Sequence, residues 1–215
     1  MPSLNIHTTR SVEYHLKLAS ADPQELVILL HGYQQRGETV LGFTEPCFGE
    51  HQVVVAPDAP FPIPYRARER FRLGYAWYFF DVQLGEYRID MSHAVDYLVA
   101  FVASLAWADL PKRIVGYSQG GYLAPFLGLK LEQVHQVVGV NSRFRSETLG
   151  LLPFPVDGVH GQKDTLVDPE NSQRCHRELT DLGNDGIFHT VPESGHQIDR
   201  HLCDGLRHVL QRRKG

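Results

Sequence analysis

A serine, an aspartate and a histidine stand where an acyl-transfer relay would need them. Ser118 lies in Gly116-Tyr117-Ser118-Gln119-Gly120, a G-x-S-x-G pattern that directly follows the apolar pair Ile114-Val115. Where such a pattern joins a buried strand to a helix, the turn is strained and crowded, so glycines flank the serine and its hydroxyl stands at the tip. A hydroxyl is a weak nucleophile at neutral pH; it needs a base, and the base needs a third group to orient it. His196, in Glu193-Ser194-Gly195-His196, is the candidate base, with His160 as the alternative. Asp164, in His160-Gly161-Gln162-Lys163-Asp164, is the candidate orienter, with Asp157 and above all Asp168 as rivals. Serine, then carboxylate, then histidine is one of the chain orders in which such relays occur. Attack on a carbonyl also creates an oxyanion that needs amide donors, and the N–H of Tyr33 in His31-Gly32-Tyr33, paired with that of Gln119, would supply them.

These residues serve together only if the elements that carry them end on one edge of a sheet. Leu26 to Leu30, Val53 to Ala56, Arg113 to Tyr117, Val137 to Val140, Val156 to His160 and Phe188 to Val191 are short apolar runs. Such runs read as parallel strands buried on both faces. Ser11 to Ala19 alternates like an antiparallel edge strand, bringing the sheet to about seven. Between them, Met91, Ala94, Val95, Leu98, Val102 and Leu105 trace one helical stripe. Ser172 to Leu182 and Arg200 to Gln211 repeat the pattern, the latter followed by Arg212, Arg213 and Lys214, which suit a helix C-terminus. Open sheets of this kind carry their sites outside the carboxyl ends of the strands, where Ser118, Asp164 and His196 would converge. Pro125 falls inside the helix expected after Ser118 and should kink it about two turns in.

Composition narrows the class. At 215 residues, with 42% apolar and 21% charged residues, the chain can bury a core as one domain without metals or disulfides. Its 21 Lys+Arg against 25 Asp+Glu give a net charge of −4, which lacks the positive field of a nucleic-acid binder. Cys47, Cys175 and Cys203 are odd in number and show no C-x-x-C spacing, so neither a disulfide framework nor a zinc ribbon is indicated. Met1 to Tyr14 has no apolar core of a secretion signal and no run reaches the length of a membrane span, which points to the cytoplasm. His160, His189 and His201 lack metal-ligand spacing, so no metal and no cofactor is expected. Oligomeric state is not readable.

Taken in order, Leu29-Leu30-His31-Gly32 with Gly37 beyond, Ala56-Pro57-Asp58-Ala59-Pro60, Gly116 to Gly121, His160-Gly161-x-x-Asp164-x-x-Val167 and Ser194-Gly195-His196 resemble the phospholipase/carboxylesterase family of α/β-hydrolases. The resemblance runs from about residue 25 to 210. It implies an α/β-hydrolase fold, a mostly parallel sheet with helices on both faces. It also implies a serine carboxylesterase acting on a small ester or thioester, with Ser118, Asp164 and His196 as catalytic residues and Tyr33 and Gln119 as the oxyanion hole. Acyl thioesterase or lysophospholipase action is the alternative; a binding protein that keeps the fold without catalysis is the reading from another class. Gln34 departs from the family, which often has a second glycine there.

Residues 60–90 read as an insertion over the site, a lid or pocket wall. Phe61, Tyr65, Phe71, Tyr75, Trp77, Tyr78, Phe79 and Phe80 are eight of the chain's 22 aromatics. Trp77, Phe71 and Tyr75 are the pocket candidates, against the plainer reading that such rings fill the segment's own small core. Arg66, Arg68, Arg70 and Arg72 alternate beside the single acid Glu69. They could meet an anionic substrate, though a solvated edge is the commoner reason for such a run.

Overall fold

The structure, a computed structural model, describes residues 11–212. Arg213 and Lys214, expected at the end of the last helix, lie outside them. The chain opens with strand β1 (Tyr14–Lys17), then β2 (Glu25–Leu30), helix α1 (Gly37–Thr44) with a short 3-10 turn, and β3 (Gln52–Pro57). Two hairpins follow, β4 (Phe61–Ala67) with β5 (Arg70–Ala76) and β6 (Phe79–Asp81) with β7 (Glu86–Ile89). Then come α2 (Met91–Ala103), β8 (Lys112–Tyr117), α3 (Gln119–Gly128), β9 (Val134–Val140), β10 (Val156–Gly161), α4 (Pro169–Asp181), β11 (Phe188–Val191) and α5 (Arg200–Gln211).

Seven strands form the main sheet in the order β1-β3-β2-β8-β9-β10-β11, all parallel except β1, which pairs antiparallel with β3. The apolar runs are these strands, because a strand covered on both faces needs apolar side chains at every position. In β2 alternate residues serve opposite cores. Leu26, Ile28 and Leu30 pack with Leu98 of α2, Leu123 and Leu127 of α3 and Leu179 of α4. Val27 and Leu29 pack with Val40 of α1 and Leu202, Leu206 and Val209 of α5. Each fully buried leucine stabilises the fold by roughly 2 kcal/mol relative to leaving it in water.

Helix α2 follows its predicted stripe as far as Val102, ends at Ala103 before Leu105, and starts where Asp90 accepts the Ser92 amide at 2.6 Å. Helix α3 runs only three residues past Pro125, which sits inside it. The chain starts at the edge strand β1, enters β2, turns back to lay β3 between them, and after the two hairpins and α2 places β8 on the other side of β2. That reversal makes the carboxyl ends of β2 and β8 the switch point of the sheet, the place where such sheets bind ligands.

The segment read as an insertion is two antiparallel hairpins. In the first, Phe61 faces Ala76 and Ala67 faces Arg70, and the turn is made by Arg68, at φ 56°, and Glu69. In the second, the register shifts between Phe79 and Phe80. Among the described residues no helix is long and apolar enough to cross a membrane.

Candidate active site

Ser118 follows the last residue of β8 and precedes the first of α3, with φ 50° and ψ −117°. A residue with a side chain seldom adopts that conformation, and here the surroundings impose it. The Ser118 amide donates to the Val140 carbonyl at 2.9 Å, while its own carbonyl accepts from the Gly121 amide at 2.9 Å. A Cβ on Gly116 would stand 2.3 Å from the Gly120 carbonyl oxygen, and one on Gly120 would stand 2.5 Å from that of Leu30. Both glycines therefore let strand, turn and helix approach closer than any other residue allows. The Ser118 hydroxyl does not cap α3.

His196 is carried by the loop after β11 and Asp164 by the loop after β10. The His196 Nδ1 lies 2.8 Å from Asp164 Oδ2, and the imidazole rests against the Tyr117 ring with centroids 5.3 Å apart, one residue before Ser118. The other Asp164 oxygen accepts the amides of Leu166 at 2.8 Å and Val167 at 3.0 Å. Burial alone would raise this carboxyl. Hydrogen bonds from His160, His196 and the two amides outweigh it and hold the group well below the usual carboxylate range. The rivals are employed elsewhere: Asp168 caps α4 by accepting the Glu170 amide, and buried Asp157 accepts from Gln136 and the Ile187 amide.

Sequence reading missed Asn141. At the end of β9, with φ 45°, it donates through Nδ2 to the carbonyls of Gly195 at 2.9 Å and His196 at 2.6 Å, and accepts the Gly161 amide at 2.8 Å. One side chain thus ties the histidine loop to the strand that leads to Asp164. Tyr117 adds a second bond, from its hydroxyl to the His196 carbonyl at 2.8 Å. No signal in the sequence marks this role: the positive φ that an asparagine tolerates after a buried strand is visible only in coordinates.

The His31-Gly32-Tyr33 loop leaves the carboxyl end of β2. Gln34 takes φ 59°, a left-handed conformation that favours glycine, the residue the resemblance leads one to expect there. Strand β5 grips this loop: the Gln34 amide donates to the Tyr75 carbonyl at 2.9 Å and the Tyr75 amide to the Gln35 carbonyl at 3.1 Å. Gly74 permits the approach, since a Cβ there would meet the Gln34 carbonyl oxygen at 2.2 Å. Gln119 is the first residue of α3, so its amide has no partner within the helix. Its side chain accepts the Trp77 amide at 3.0 Å and donates to the Tyr78 carbonyl at 2.8 Å, locking the end of the first hairpin over the elbow.

The three pocket candidates go to different places. Trp77 is wholly buried beneath the loop, where its Nε1 donates to the His31 carbonyl at 2.8 Å and its ring lies 4.9 Å from the His31 ring. Tyr75 is half-buried on β5 with the Arg36 guanidinium 5.5 Å from its ring centre. Phe71 stands 81% exposed, and Arg66, Arg68, Arg70 and Arg72 are exposed around it. Tyr33 is 48% exposed and meets Phe79 edge-on at 6.3 Å. Of the other histidines, His189 faces His208 at 5.2 Å, and no three His, Cys, Asp or Glu side chains gather as a metal site among the described residues.

His31 ties this loop to pH. Its Nε2 accepts the Ala59 amide at 3.0 Å, so the ring is neutral with the proton on Nδ1, which donates to the Gly32 carbonyl at 2.7 Å. Burial brings its pKa down to about 4, against smaller raising effects of the Gly32 carbonyl and Asp58. The unfolded chain binds this proton below about pH 6.5 and the native state does not. The contribution is therefore complete above pH 6.5 and is lost as pH falls toward 4, by about 3 kcal/mol in all. Urea unfolding at pH 7 and pH 4.5 should show the loss, and His31→Gln should flatten it; an equal slope in both proteins would refute the assignment.

Fold and strand-turn-helix elbow define the class first: this is an α/β-hydrolase. More narrowly, the chain belongs to the phospholipase/carboxylesterase family, whose model it matches over residues 15–212. Among solved structures it is similar to esterase PE8, with 26% identity, 94% of this chain and 99% of that one covered, and a TM-score of 0.73. It is similar also to Zea mays acyl-protein thioesterase 2, with 19% identity, coverage of 93% and 98%, and a TM-score of 0.71. A carboxylesterase from Mesorhizobium loti matches at 19% identity, coverage of 92% and 93%, and a TM-score of 0.69. The last two bear on the fold alone. No curated protein matches the chain.

Proposed function

We propose that the protein is a serine carboxylesterase that cleaves small carboxylic esters through an acyl-enzyme. The observation that carries the reading is the Asp164–His196 pair at 2.8 Å, packed beside a strained serine turn. In the first step His196 Nε2 takes the Ser118 proton as Oγ bonds to the acyl carbon, and the amides of Tyr33 and Gln119 hold the oxyanion. Collapse breaks the bond to the leaving oxygen, which takes the proton from His196 and departs as the alcohol. Water then gives a proton to His196, attacks the acyl carbon and releases the acid while the proton returns to Ser118. Asp164 remains ionised throughout and steadies the imidazolium.

The hairpins of residues 61–89 would shape the acyl site, and the setting proposed is the cytoplasm, with no metal or cofactor. The same serine, histidine and carboxylate would serve one second reading, cleavage of thioesters by the same steps with a thiolate as leaving group. A fluorophosphonate probe followed by peptide mass spectrometry tests the proposal: an adduct on Ser118 is expected, and an unlabelled protein would point to a binding role. Matched nitrophenyl esters and thioesters of one chain length then decide between the leaving groups.

A further inference from the structure

Asp164 Oδ2 serves two histidines. Besides His196 at 2.8 Å, His160 Nε2 approaches the same oxygen at 3.2 Å and the Val167 carbonyl at 3.1 Å. Both partners of that nitrogen only accept, so it carries a proton. The other nitrogen, Nδ1, is buried with no hydrogen-bond partner among the described residues. A second proton there would be an unpaired buried donor beside an apolar wall, because the ring stacks on Phe188 at 6.0 Å and 23°. His160 is thus a neutral donor, held in one tautomer by its acceptors and in one plane by a phenylalanine.

We propose that His160 is a positioning residue of the relay, which fixes the Asp164 carboxylate by donating to the oxygen that His196 also uses. The inference rests on the esterase reading of Ser118 and deepens it. A carboxylate with an extra donor is less basic, and its pull on the His196 imidazolium is weaker. Removing the donor should let His196 keep its proton to higher pH. The other titratable groups around the pair are Tyr117 from β8 and Tyr122 from α3, both raised chiefly by burial. His176 of α4 lies across Phe188 and is lowered chiefly by burial, and Lys163 pairs with Glu193 in solvent. Each is either neutral near pH 7 or internally paired, which leaves His160 as the group beside Asp164 whose loss moves the balance.

The test compares His160→Phe, which keeps the stacked ring without the donor, with His160→Gln, which keeps an amide donor. In His160→Phe kcat should fall about 10- to 100-fold with KM little changed. The acid limb of kcat/KM should move upward by about half a unit or more, and His160→Gln should recover much of both. A fall in kcat with the limb unmoved or moved downward would assign His160 to loop structure alone and overturn the proposal, as would wild-type kinetics. If His160→Phe does not fold, His160→Asn, too short to reach, replaces it. NMR titration of the His196 ring needs no turnover. Its midpoint rising in the variant supports the proposal even if Ser118 takes no probe, whereas a labelled Ser118 with an unmoved midpoint sinks this inference and spares the esterase.

Discussion

Ser118→Ala is expected to lower kcat/KM for nitrophenyl esters by about 10⁴-fold or more, because the base and the oxyanion amides remain but have no hydroxyl to activate. Residual turnover above the uncatalysed rate should persist, since the Tyr33 and Gln119 amides proposed to hold the oxyanion are unchanged. The fold should be spared. Ser118 sits at φ 50° and ψ −117° without capping α3, so alanine inherits the same strain and loses no helix contact. Ser118→Gly should be equally inactive but melt at a higher temperature than Ser118→Ala, because glycine takes that conformation without penalty. Alanine and wild type turning over ester within tenfold of one another would remove Ser118 from the chemistry.

Asp164→Asn should cost nearly as much, about 10⁴-fold in kcat, because the acceptor facing His196 Nδ1 becomes an amide that can present a donor and favour the wrong tautomer. The same change uncovers buried amides at Leu166 and Val167 less than a truncation would, so a folded protein is expected. Asp168→Asn provides the contrast. That carboxylate caps α4, a role asparagine fills, so kcat and melting temperature should both stay close to wild type. Measuring the two variants side by side separates neighbours four residues apart; a reversed order of damage would make Asp168 the orienter.

Much of the fold is legible in the sequence because its strands are covered on both faces and so appear as unbroken apolar runs, such as Leu26 to Leu30. Helix α2 is legible for the complementary reason, an apolar stripe at helical spacing. Helix α1 is not: it spans eight residues and contains Gly37 and Gly42, too short and too flexible to show a period. The first hairpin also escapes, although Phe61, Ile63 and Tyr65 alternate with Pro62, Pro64 and Arg66. Proline argues against a strand, yet β4 has a partner only on one side, where its remaining amides suffice.

At the site the pattern is similar. Asp164 meets His196 as the H-G-x-x-D and S-G-H motifs imply, because they follow shortly after the ends of β10 and β11, parallel neighbours of fixed register. Trp77 is legible as important but not as what it is, a buried brace under the His31-Gly32-Tyr33 loop. Asn141 was illegible because a lone asparagine carries no spacing, and its reach to three backbone groups depends on β9 lying between β8 and β10.

The two hydrogen bonds joining Tyr75 to Gln34 and Gln35 make the first hairpin and the loop after β2 a single mechanical part. Force applied at the outer turn by whatever lies against it is transmitted along β5 to the amide next to Gln34, as a lever acts on its fulcrum. On the proposed function, substrate range and catalytic power would then be inherited together in this chain: the hairpin could not drift or be transplanted as an independent cassette without retuning the loop it leans on.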